Sequence, residues 1–450
     1  MIKPSRIDVI QDTTVINPEN GVILENHDIC LKDGRIKEIV PNSSTSGPHS
    51  LDGSHYFALP GLIDTHVHAL GFLQEDIPGP FDLKWVFRQQ RKNLAAFLKS
   101  GVTTIRDMAG PLKLIRRKSR QAAGNKIQAP RILYAGPMFT VRHGYPYFIP
   151  KTPLAIRWLC GSIRQDVGSK SPDRSLHRMI DKVAAAGATC LKVGFQSAKY
   201  DDDQTEIPLL PLPLFRRIVD HAHQRGLPVA VHHVYRRDLQ VLLGASDIIF
   251  DSLEHLTIDE PLSPAEIDLL AQRNIPISTT LMTYGLINHL ERLETLIHQE
   301  PARFEEKPRL FLNQVCQALR SGGQVSRYIG RHCIERGSTF MKQNLKNLFR
   351  AGLKIVYGTD SGGAVTPPGC PTWELHDMIE AGMKPLDVLR SATSTAADVI
   401  GHPDLGRLKP GARADIILLS QNPLQDVAAL EHVAAVIQTG RLVHQNTGSV

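Results

Sequence analysis

Residues 59–69 read LPGLIDTHVHA, a short apolar run that ends in two histidines. Side chains alternate between the two faces of a β-strand, so His66 and His68 point to the same side. Two convergent imidazoles are good ligands for a divalent transition metal. The stretch therefore predicts a buried strand that presents a pair of metal ligands at its C-terminal end.

Seven similar apolar runs follow this stretch, and helix-like segments separate them. The runs are VTTIRD (102–107), RILYAG (131–136), ATCLKV (188–193), PVAVHH (228–233), DIIFDSLEH (247–255), IPISTT (275–280) and KIVYGTD (354–360). Continuous apolar runs are typical of parallel strands that helices cover. The helix-like segments include residues 83–101, 172–187, 213–226 and 385–401. Eight alternations of strand and helix predict an α/β fold, a distorted TIM (β/α)8 barrel.

Both ends of the chain have a different pattern, with short alternating strands and turn residues. Asn20-Gly21 and Asp33-Gly34 mark tight turns near the start of the chain. The last 45 residues have the same character. We therefore predict a small β-sandwich domain built from residues 1–58 and 405–450, which flanks the barrel of residues 59–404. The long connections 136–172 and 280–336 follow strand C-termini, so we expect them at the rim of the barrel mouth.

The composition restricts the possible classes of protein. The chain has 450 residues, of which 42% are hydrophobic and 22% charged, with a formal net charge of +7. This excludes a mainly disordered chain, and no stretch is apolar enough to predict a membrane-spanning helix. Six cysteines without a CxxC pair fit reduced thiols in a cytoplasmic protein. The densest basic run, KLIRRKSR (113–120), contains no aromatic residue and favours a solvated helix face over a nucleic-acid groove.

Other predicted strand ends carry further donor side chains. The strand register turns Lys192 into the barrel, where an amine is costly unless it is paired or modified, for example as a CO2-derived carbamate. Alternatively, the ammonium group reaches solvent at the strand end. His232 takes the inward register, and its neighbour His233 is expected to pack beside it. His255 and Asp360 end two later strands, and an aspartate there can bind a metal and carry a proton.

With these residues the sequence resembles the amidohydrolase superfamily. The motifs that carry the resemblance are PGLIDTHVH, Lys192 in LKV, His232, His255 in EH, Asp360 in GTDSG and the closing segment LGRLKPGARADIILLSQNPL. The chain is most similar to the binuclear group with a carboxylated lysine, in its prolidase-like and imidazolonepropionase-related branch. The resemblance implies an enzyme that hydrolyses an amide-type C–N bond of a dipeptide, an N-acyl amino acid or a cyclic amide with a metal-activated hydroxide.

The resemblance also implies the cofactors and the role of each ligand. Two divalent metal ions are expected, zinc foremost, with Mn, Fe, Co or Ni as alternatives. His66, His68 and Asp360 match the ligands of one metal, and His232 and His255 match those of the second. Lys192, carboxylated by CO2, matches the bridge between the metals. Asp360 is also the implied catalytic residue, which passes a proton from the attacking water to the leaving amine.

Contacts to a small-molecule substrate are predicted from two loops. Arg142 and His143 lie in VRHGYP, where relatives often read GGHG, and Tyr235 and Arg236 follow HHV, where many relatives read HAH or HCH. His143 could hydrogen-bond a substrate carbonyl, and an arginine can hold a carboxylate. The alternatives are loop packing and a solvated helix start. We expect a homo-oligomer without nucleic-acid or membrane partners.

Two other functions stay open at this point. One is a mononuclear deaminase, or another C–N or C–O hydrolase of the same superfamily, and Glu254 beside His255 keeps it in view. Lys192 argues against it, because these deaminases generally lack a bridging lysine. The other is a non-catalytic scaffold that retains the barrel. Occupation of all six ligand positions argues against a scaffold.

Overall fold

Strands from the two ends of the chain form one β-rich domain in the computed structural model, which describes residues 4–42, 47–69, 83–146, 163–164, 173–200, 202–322, 331–362 and 365–446. The strands are β1 Ser5–Arg6, β2 Val9–Asn17, β3 Val22–Lys32, β4 Arg35–Pro41, β5 Ser50–Asp52, β6 Phe57–Pro60, β17 Ile416–Leu419, β18 Val433–Gln438 and β19 Arg441–Gln445. They form a nine-stranded sheet of order β1-β19-β18-β17-β6-β2-β3-β4, in which β5 pairs with β2.

The two ends of the chain meet in the middle of this sheet. β17 pairs antiparallel with β6, which leads directly into the barrel. Alternating apolar residues from several strands of the sheet pack into a core that belongs to this domain, among them Ile10, Ile29, Ile416 and Ile437. The predicted β-rich domain from both ends is therefore confirmed, whereas the limits 1–58, 59–404 and 405–450 stay predictions.

The strands between these ends are parallel and form a barrel. They are β7 Leu62–Val67, β8 Val102–Asp107, β9 Arg131–Tyr134, β10 Met138–Phe139, β11 Ile163–Arg164, β12 Leu191–Gly194, β13 Val229–His232, β14 Ser252–Glu254, β15 Ile277–Ser278 and β16 Ile355–Val356. Parallel pairing joins β7-β8-β9 and, separately, β11-β10-β12-β13-β14-β15-β16.

Backbone hydrogen bonds close the ring between these two groups of strands. Thr189, just before β12, donates to the Tyr134 carbonyl of β9 at 3.0 Å, and Thr65 of β7 donates to the Tyr357 carbonyl after β16 at 3.1 Å. Each of the eight predicted runs matches one barrel strand, with β12 extending one residue beyond its run, so the predicted α/β barrel fold is confirmed. β10 and β11 are additional strands at one end of the seven-stranded group, where β10 pairs with β12.

Helices alternate with these strands. They are α1 Leu83–Lys99, α2 Leu112–Ala123, α3 Asp173–Ala185, α4 Leu212–Gln224, α5 Arg236–Gly244, α6 Pro264–Gln272, α7 Leu281–Tyr284, α8 Leu290–Gln299, α9 Glu306–Ser321, α10 Arg331–Arg350, α11 Pro371–Glu380, α12 Pro385–Ser391 and α13 Ser394–Val399. Shorter 3-10 turns occur at Leu286–His289, Pro301–Arg303 and Val427–Glu431.

Two details differ from the sequence expectation. The helix-like segment 385–401 is broken into α12 and α13, because Thr393 leaves the helical region with φ −134° and ψ −95°. The run DIIFDSLEH yields only the three-residue strand β14. Strand pairing in a barrel lasts only as long as both neighbours stay extended, so an apolar run overestimates the strand length.

The connection 280–336 contains helices of its own. α7, α8, α9 and the start of α10 pack around a second apolar core that includes Met282, Leu293, Phe311 and Trp373. In the connection 136–172, residues 147–162 and 165–172 lie outside the described residues. No helix in the described part of the chain is both long and apolar enough to cross a membrane.

Candidate active site

His66 of β7 and His68, which directly follows β7, lie at the mouth of the barrel. The His66 side chain is only 1% exposed, and that of His68 is 23% exposed. The two ring centroids are 5.5 Å apart. His66 Nδ1 lies 2.7 Å from Glu254 Oε2, so its Nε2 atom is the one that faces the barrel mouth. Alternation along β7 thus places both rings on one side, as the sequence predicts.

Asp360 approaches this pair from the end of β16. Its Oδ1 atom lies 3.0 Å from His68 Nε2 and 3.6 Å from His66 Nε2, and the three residues form a group that could hold a metal ion. A Cβ at Gly358 would clash with the Ser278 hydroxyl oxygen and lie 3.0 Å from the His66 Cβ, so glycine favours this close approach to β7. Asp360 itself has a positive φ of 53°. Such strained backbone is common at functional sites.

A buried aspartate fixes the position of the Asp360 segment. The Thr359 hydroxyl donates to Asp64 Oδ2 at 2.6 Å, and the Thr359 amide donates to Asp64 Oδ1 at 3.1 Å. The His66 amide donates to the same oxygen at 3.2 Å. Burial raises the pKa of Asp64 to about 7. Asp64 therefore ties the strand end that carries His66 to the one that carries Asp360.

The other two predicted histidines lie beside this group. The ring centroid of His255 is 4.6 Å from that of His66 and 4.7 Å from that of His232. His255 Nδ1 is hydrogen-bonded to the Thr280 hydroxyl at 2.7 Å, which leaves Nε2 as the nitrogen that could bind a metal. His232 Nε2 lies 2.8 Å from Gln196 Oε1, so a metal would have to displace this amide. The structure thus brings the four histidines together, and His232 is hydrogen-bonded to Gln196.

Lys192 lies on β12 and is 2% exposed. The alternative in which its ammonium reaches solvent is therefore wrong. Burial lowers the pKa of Lys192 to about 8, so part of the amine is neutral near physiological pH. A neutral, buried lysine is the form that reacts with CO2. The burial and the lowered pKa of Lys192 are therefore compatible with the predicted carbamate.

Burial and mutual repulsion keep most of the histidines neutral. Burial, with the Lys192 charge second, holds the pKa of His66 well below its ordinary value. Burial lowers the pKa of His232 and His255 in the same way, helped in each case by a neighbouring histidine of the cluster. For His68, Asp360 outweighs the effect of burial and raises the pKa. Neutral imidazoles are the form that binds a metal.

The sequence reasoning did not find a buried ion pair below the six candidate ligands. These six residues are called the cluster from here on: His66, His68, Lys192, His232, His255 and Asp360. Arg106 of β8 donates from Nη2 to Glu254 Oε1 at 2.8 Å and from Nε to the Thr65 carbonyl at 2.7 Å. Glu254 is fully buried, and the Arg106 side chain is 5% exposed. An available signal was the arginine inside the apolar run VTTIRD, because a charge in a buried strand needs a partner.

Three tyrosines that the sequence reasoning also missed surround His232. The Tyr145 ring stacks on the His232 ring with centroids 3.9 Å apart. The Tyr200 hydroxyl lies 3.3 Å from His232 Nε2 and 2.8 Å from the Tyr284 hydroxyl. Tyr145 and Tyr200 lie in two separate loops and Tyr284 ends α7, so no local pattern in the sequence indicated them. They give the site an aromatic wall on the His232 side.

The four predicted substrate residues lie outside this cluster. Arg142 and His143 are exposed, two or three residues before Tyr145, and His143 has a positive φ of 61°. Tyr235 is buried and donates its hydroxyl to the Lys199 carbonyl at 2.6 Å. The Arg236 guanidinium donates to Glu266 at 3.0 Å and to Glu260 at 2.9 Å. Within the described residues, no hydrogen bond or ring contact joins these four side chains to the metal-ligand candidates, and their substrate role stays a prediction.

The cluster has the features of a metal site. Three of its buried atoms lack a hydrogen bond of acceptable geometry in the described structure: His66 Nε2, Lys192 Nζ and Asp360 Oδ1. Buried polar atoms without partners are rare in folded proteins, and a bound ion is one way to satisfy them. Imidazole and carboxylate donors suit zinc, manganese, iron, cobalt or nickel. The residues therefore fit the implied metals.

Fold and site together define a class of protein: a TIM-barrel protein with a His-Lys-Asp donor cluster at the C-terminal ends of its strands. The chain belongs to the amidohydrolase family, whose model matches residues 57–443. The predicted family and the predicted enzyme class, a hydrolase, are confirmed by this membership.

Individual relatives align over short stretches. The chain is 40% identical to the ochratoxinase of Aspergillus niger over 91 residues, which are 19% of this chain and 18% of that protein. It is 36% identical to the imidazolonepropionase of Anaeromyxobacter sp. (strain K) over 105 residues, or 22% and 25% of the two chains. The alignments thus span a quarter or less of these relatives.

Solved structures agree over the whole fold. A Xaa-Pro dipeptidase with bound methionine superposes with a TM-score of 0.76 and covers 97% of this chain and 99% of its own, at 19% identity. Identity this low indicates a shared fold and leaves the substrate undetermined. The superposition shows that this neighbour shares both the barrel and the β-rich domain formed by the chain ends.

Proposed function

We propose that the protein is a metal-dependent amidohydrolase that hydrolyses an amide-type C–N bond in a dipeptide, an N-acyl amino acid or a cyclic amide. His66, His68 and Asp360 would hold one divalent metal, His232 and His255 a second, and a carbamate on Lys192 would bridge them. Zinc is the first choice, with Mn, Fe, Co or Ni as alternatives. The observation that carries the proposal is that three buried atoms of the candidate ligands lack a hydrogen-bond partner in the described structure: His66 Nε2, Lys192 Nζ and Asp360 Oδ1.

When bound, divalent metals would lower the pKa of a water molecule and polarise the substrate carbonyl. The chain's own task is then to place groups and move a proton. Asp360 lies at the mouth, with its side chain 14% exposed and its Oδ1 atom close to His66 and His68. Its carboxylate would accept the proton of the attacking water and deliver it to the leaving nitrogen. Amide cleavage needs that delivery, because an amide anion is a poor leaving group.

The substrate classes rest on the family and on the names of similar proteins. One structural neighbour is a Xaa-Pro dipeptidase, and its name indicates that its substrates are dipeptides. Arg142 and His143 are exposed and would be available to a substrate carboxylate or carbonyl. Arg236 is less available, because Glu266 and Glu260 already engage its guanidinium. The cytoplasmic location and the homo-oligomeric state stay predictions of the sequence.

The geometry disfavours the deaminase alternative. Glu254 would have to reach a substrate to move a proton there. Its side chain is fully buried, and both oxygens are engaged, Oε1 by Arg106 and Oε2 by His66. The scaffold alternative does not account for the Lys192 amine, which is buried and has no hydrogen-bond partner among the described residues.

A direct test combines metal loading with a substrate library. The purified protein is stripped of metal, reloaded with zinc or manganese in the presence of bicarbonate, and assayed on dipeptides, N-acyl amino acids and cyclic amides. We expect hydrolysis that requires added metal. KM for acidic, neutral and basic substrates is then compared between wild type, Arg142→Ala, His143→Ala, Tyr235→Phe and Arg236→Ala. Absence of hydrolysis across the library by metal-loaded protein would contradict the proposal.

A further inference from the structure

Glu254 makes three polar contacts from the end of β14. Its Oε1 atom accepts hydrogen bonds from Arg106 Nη2 at 2.8 Å and from the Ser252 hydroxyl at 2.9 Å. Its Oε2 atom lies 2.7 Å from His66 Nδ1. The carboxylate thus receives two donors on one oxygen and faces an imidazole nitrogen with the other.

These contacts fix where the protons lie. A guanidinium can only donate, and Glu254 Oε1 already accepts from it and from the Ser252 hydroxyl. A glutamate carboxylate has no proton to donate, so the proton between Oε2 and Nδ1 belongs to His66. His66 Nε2 is then unprotonated and carries its lone pair toward the mouth of the barrel. This agrees with the absence of any hydrogen bond at the buried Nε2 atom in the described structure.

We propose that Glu254 is a positioning residue that holds His66 in the Nδ1-protonated tautomer and thereby prepares Nε2 as a metal ligand. The part about metal rests on the proposed function, whereas the tautomer does not. Glu254 acts through His66 and touches no reacting atom. Arg106 contributes by holding the carboxylate in this orientation through its hydrogen bond to Oε1.

The substitution Glu254→Gln gives a sharp expectation. Arg106 and Ser252 both donate to the Oε1 position, so the oxygen of the new amide would take that place. The NH2 group of the amide would then face His66 Nδ1 and donate to it. His66 would have to carry its proton on Nε2, which points that proton at the cluster. The substitution changes one atom, keeps the shape of the side chain and inverts the tautomer of its neighbour.

The tautomer is read by 15N NMR of metal-free protein labelled in the histidine rings. His66→Asn assigns the signal by its disappearance. We expect a protonated Nδ1 and an unprotonated Nε2 for His66 in the wild type, and the reverse in Glu254→Gln. The wild-type spectrum needs no glutamate variant, so the test stands even where Glu254→Gln folds poorly. A wild-type His66 protonated on Nε2 would overturn the proposal.

The consequence for metal binding is measured by zinc competition with a chromophoric chelator. Residues that orient a metal-binding histidine typically contribute 10- to 100-fold to affinity, and we expect a loss in that range for Glu254→Gln. Glu374→Gln is the matched control, a fully buried glutamate that accepts from the Leu281 and Met282 amides instead. It should change the affinity less than twofold. If folded Glu254→Gln binds zinc as tightly as the wild type, the link between Glu254 and metal affinity is refuted. If the wild type binds no zinc, the proposed function is contradicted, but the result on the His66 tautomer still holds.

Discussion

Replacing Arg106 with methionine tests whether the buried ion pair under the cluster is required for folding. Arg106 Nη2 and Glu254 Oε1 are 2.8 Å apart, with side chains 5% and 0% exposed. At an effective dielectric constant of about 20, unit charges this close attract by about 6 kcal/mol. Methionine fills most of the space but leaves Glu254 buried without a counter-charge. Removing one partner of such a pair typically lowers the free energy of unfolding by about 3–5 kcal/mol.

The assay is urea unfolding followed by circular dichroism, with two comparisons. Arg88→Met breaks the exposed pair with Glu305, in which Arg88 is 58% exposed, and should cost less than about 1 kcal/mol. The double variant Arg106→Met/Glu254→Gln removes both buried charges and should recover much of the stability lost in Arg106→Met. If Arg106→Met unfolds at the same urea concentration as Arg88→Met, loss of the counter-charge of Glu254 does not destabilise the fold and the reasoning is refuted.

Three further predictions concern the cluster and a buried glutamate nearby. Asp360→Asn should retain some bound metal but lose about 10²–10⁴-fold in kcat, because the amide cannot carry the proton; near-wild-type kcat would reject its role. Lys192→Ala should lose activity and metal, and acetate or propionate should restore part of both, whereas a fully active, metal-replete variant would exclude the carbamate. Burial raises the pKa of Glu374 to about 8, so its carboxyl binds a proton more tightly in the folded state. Stability should then fall by about 5 kcal/mol as the pH rises from about 4.5 to 8, and Glu374→Gln should remove most of that slope in urea unfolding at pH 5 and pH 8. Identical slopes in the two proteins would show that Glu374 is ionised in the fold.

The strands and the inward direction of the cluster residues could be read from the sequence because both are local. Period-two alternation places His66 with His68, and an apolar run with a lysine in it marks Lys192 as buried. The broken helix at Thr393 was missed, because the apolar pattern of 385–401 continues through the break.

Contacts between residues that are far apart in the sequence could not be predicted from local patterns. Arg106 and Glu254 are 148 positions apart, and Tyr200 and Tyr284 are 84 apart. A charge in a buried strand tells that a partner exists but not which residue it is. Arg236 shows the converse, since an arginine at a helix start looks available until the structure reveals Glu266 and Glu260 around it.

Metal content tests the central claim most directly. The protein is incubated with excess zinc or manganese and bicarbonate, passed through a desalting column and analysed by atomic emission. We expect about two ions per chain, as in two-metal hydrolytic sites, and a clear loss of bound metal in His66→Asn/His68→Asn. A folded wild-type protein that emerges without metal, or a double variant that retains as much metal as the wild type, would contradict the account.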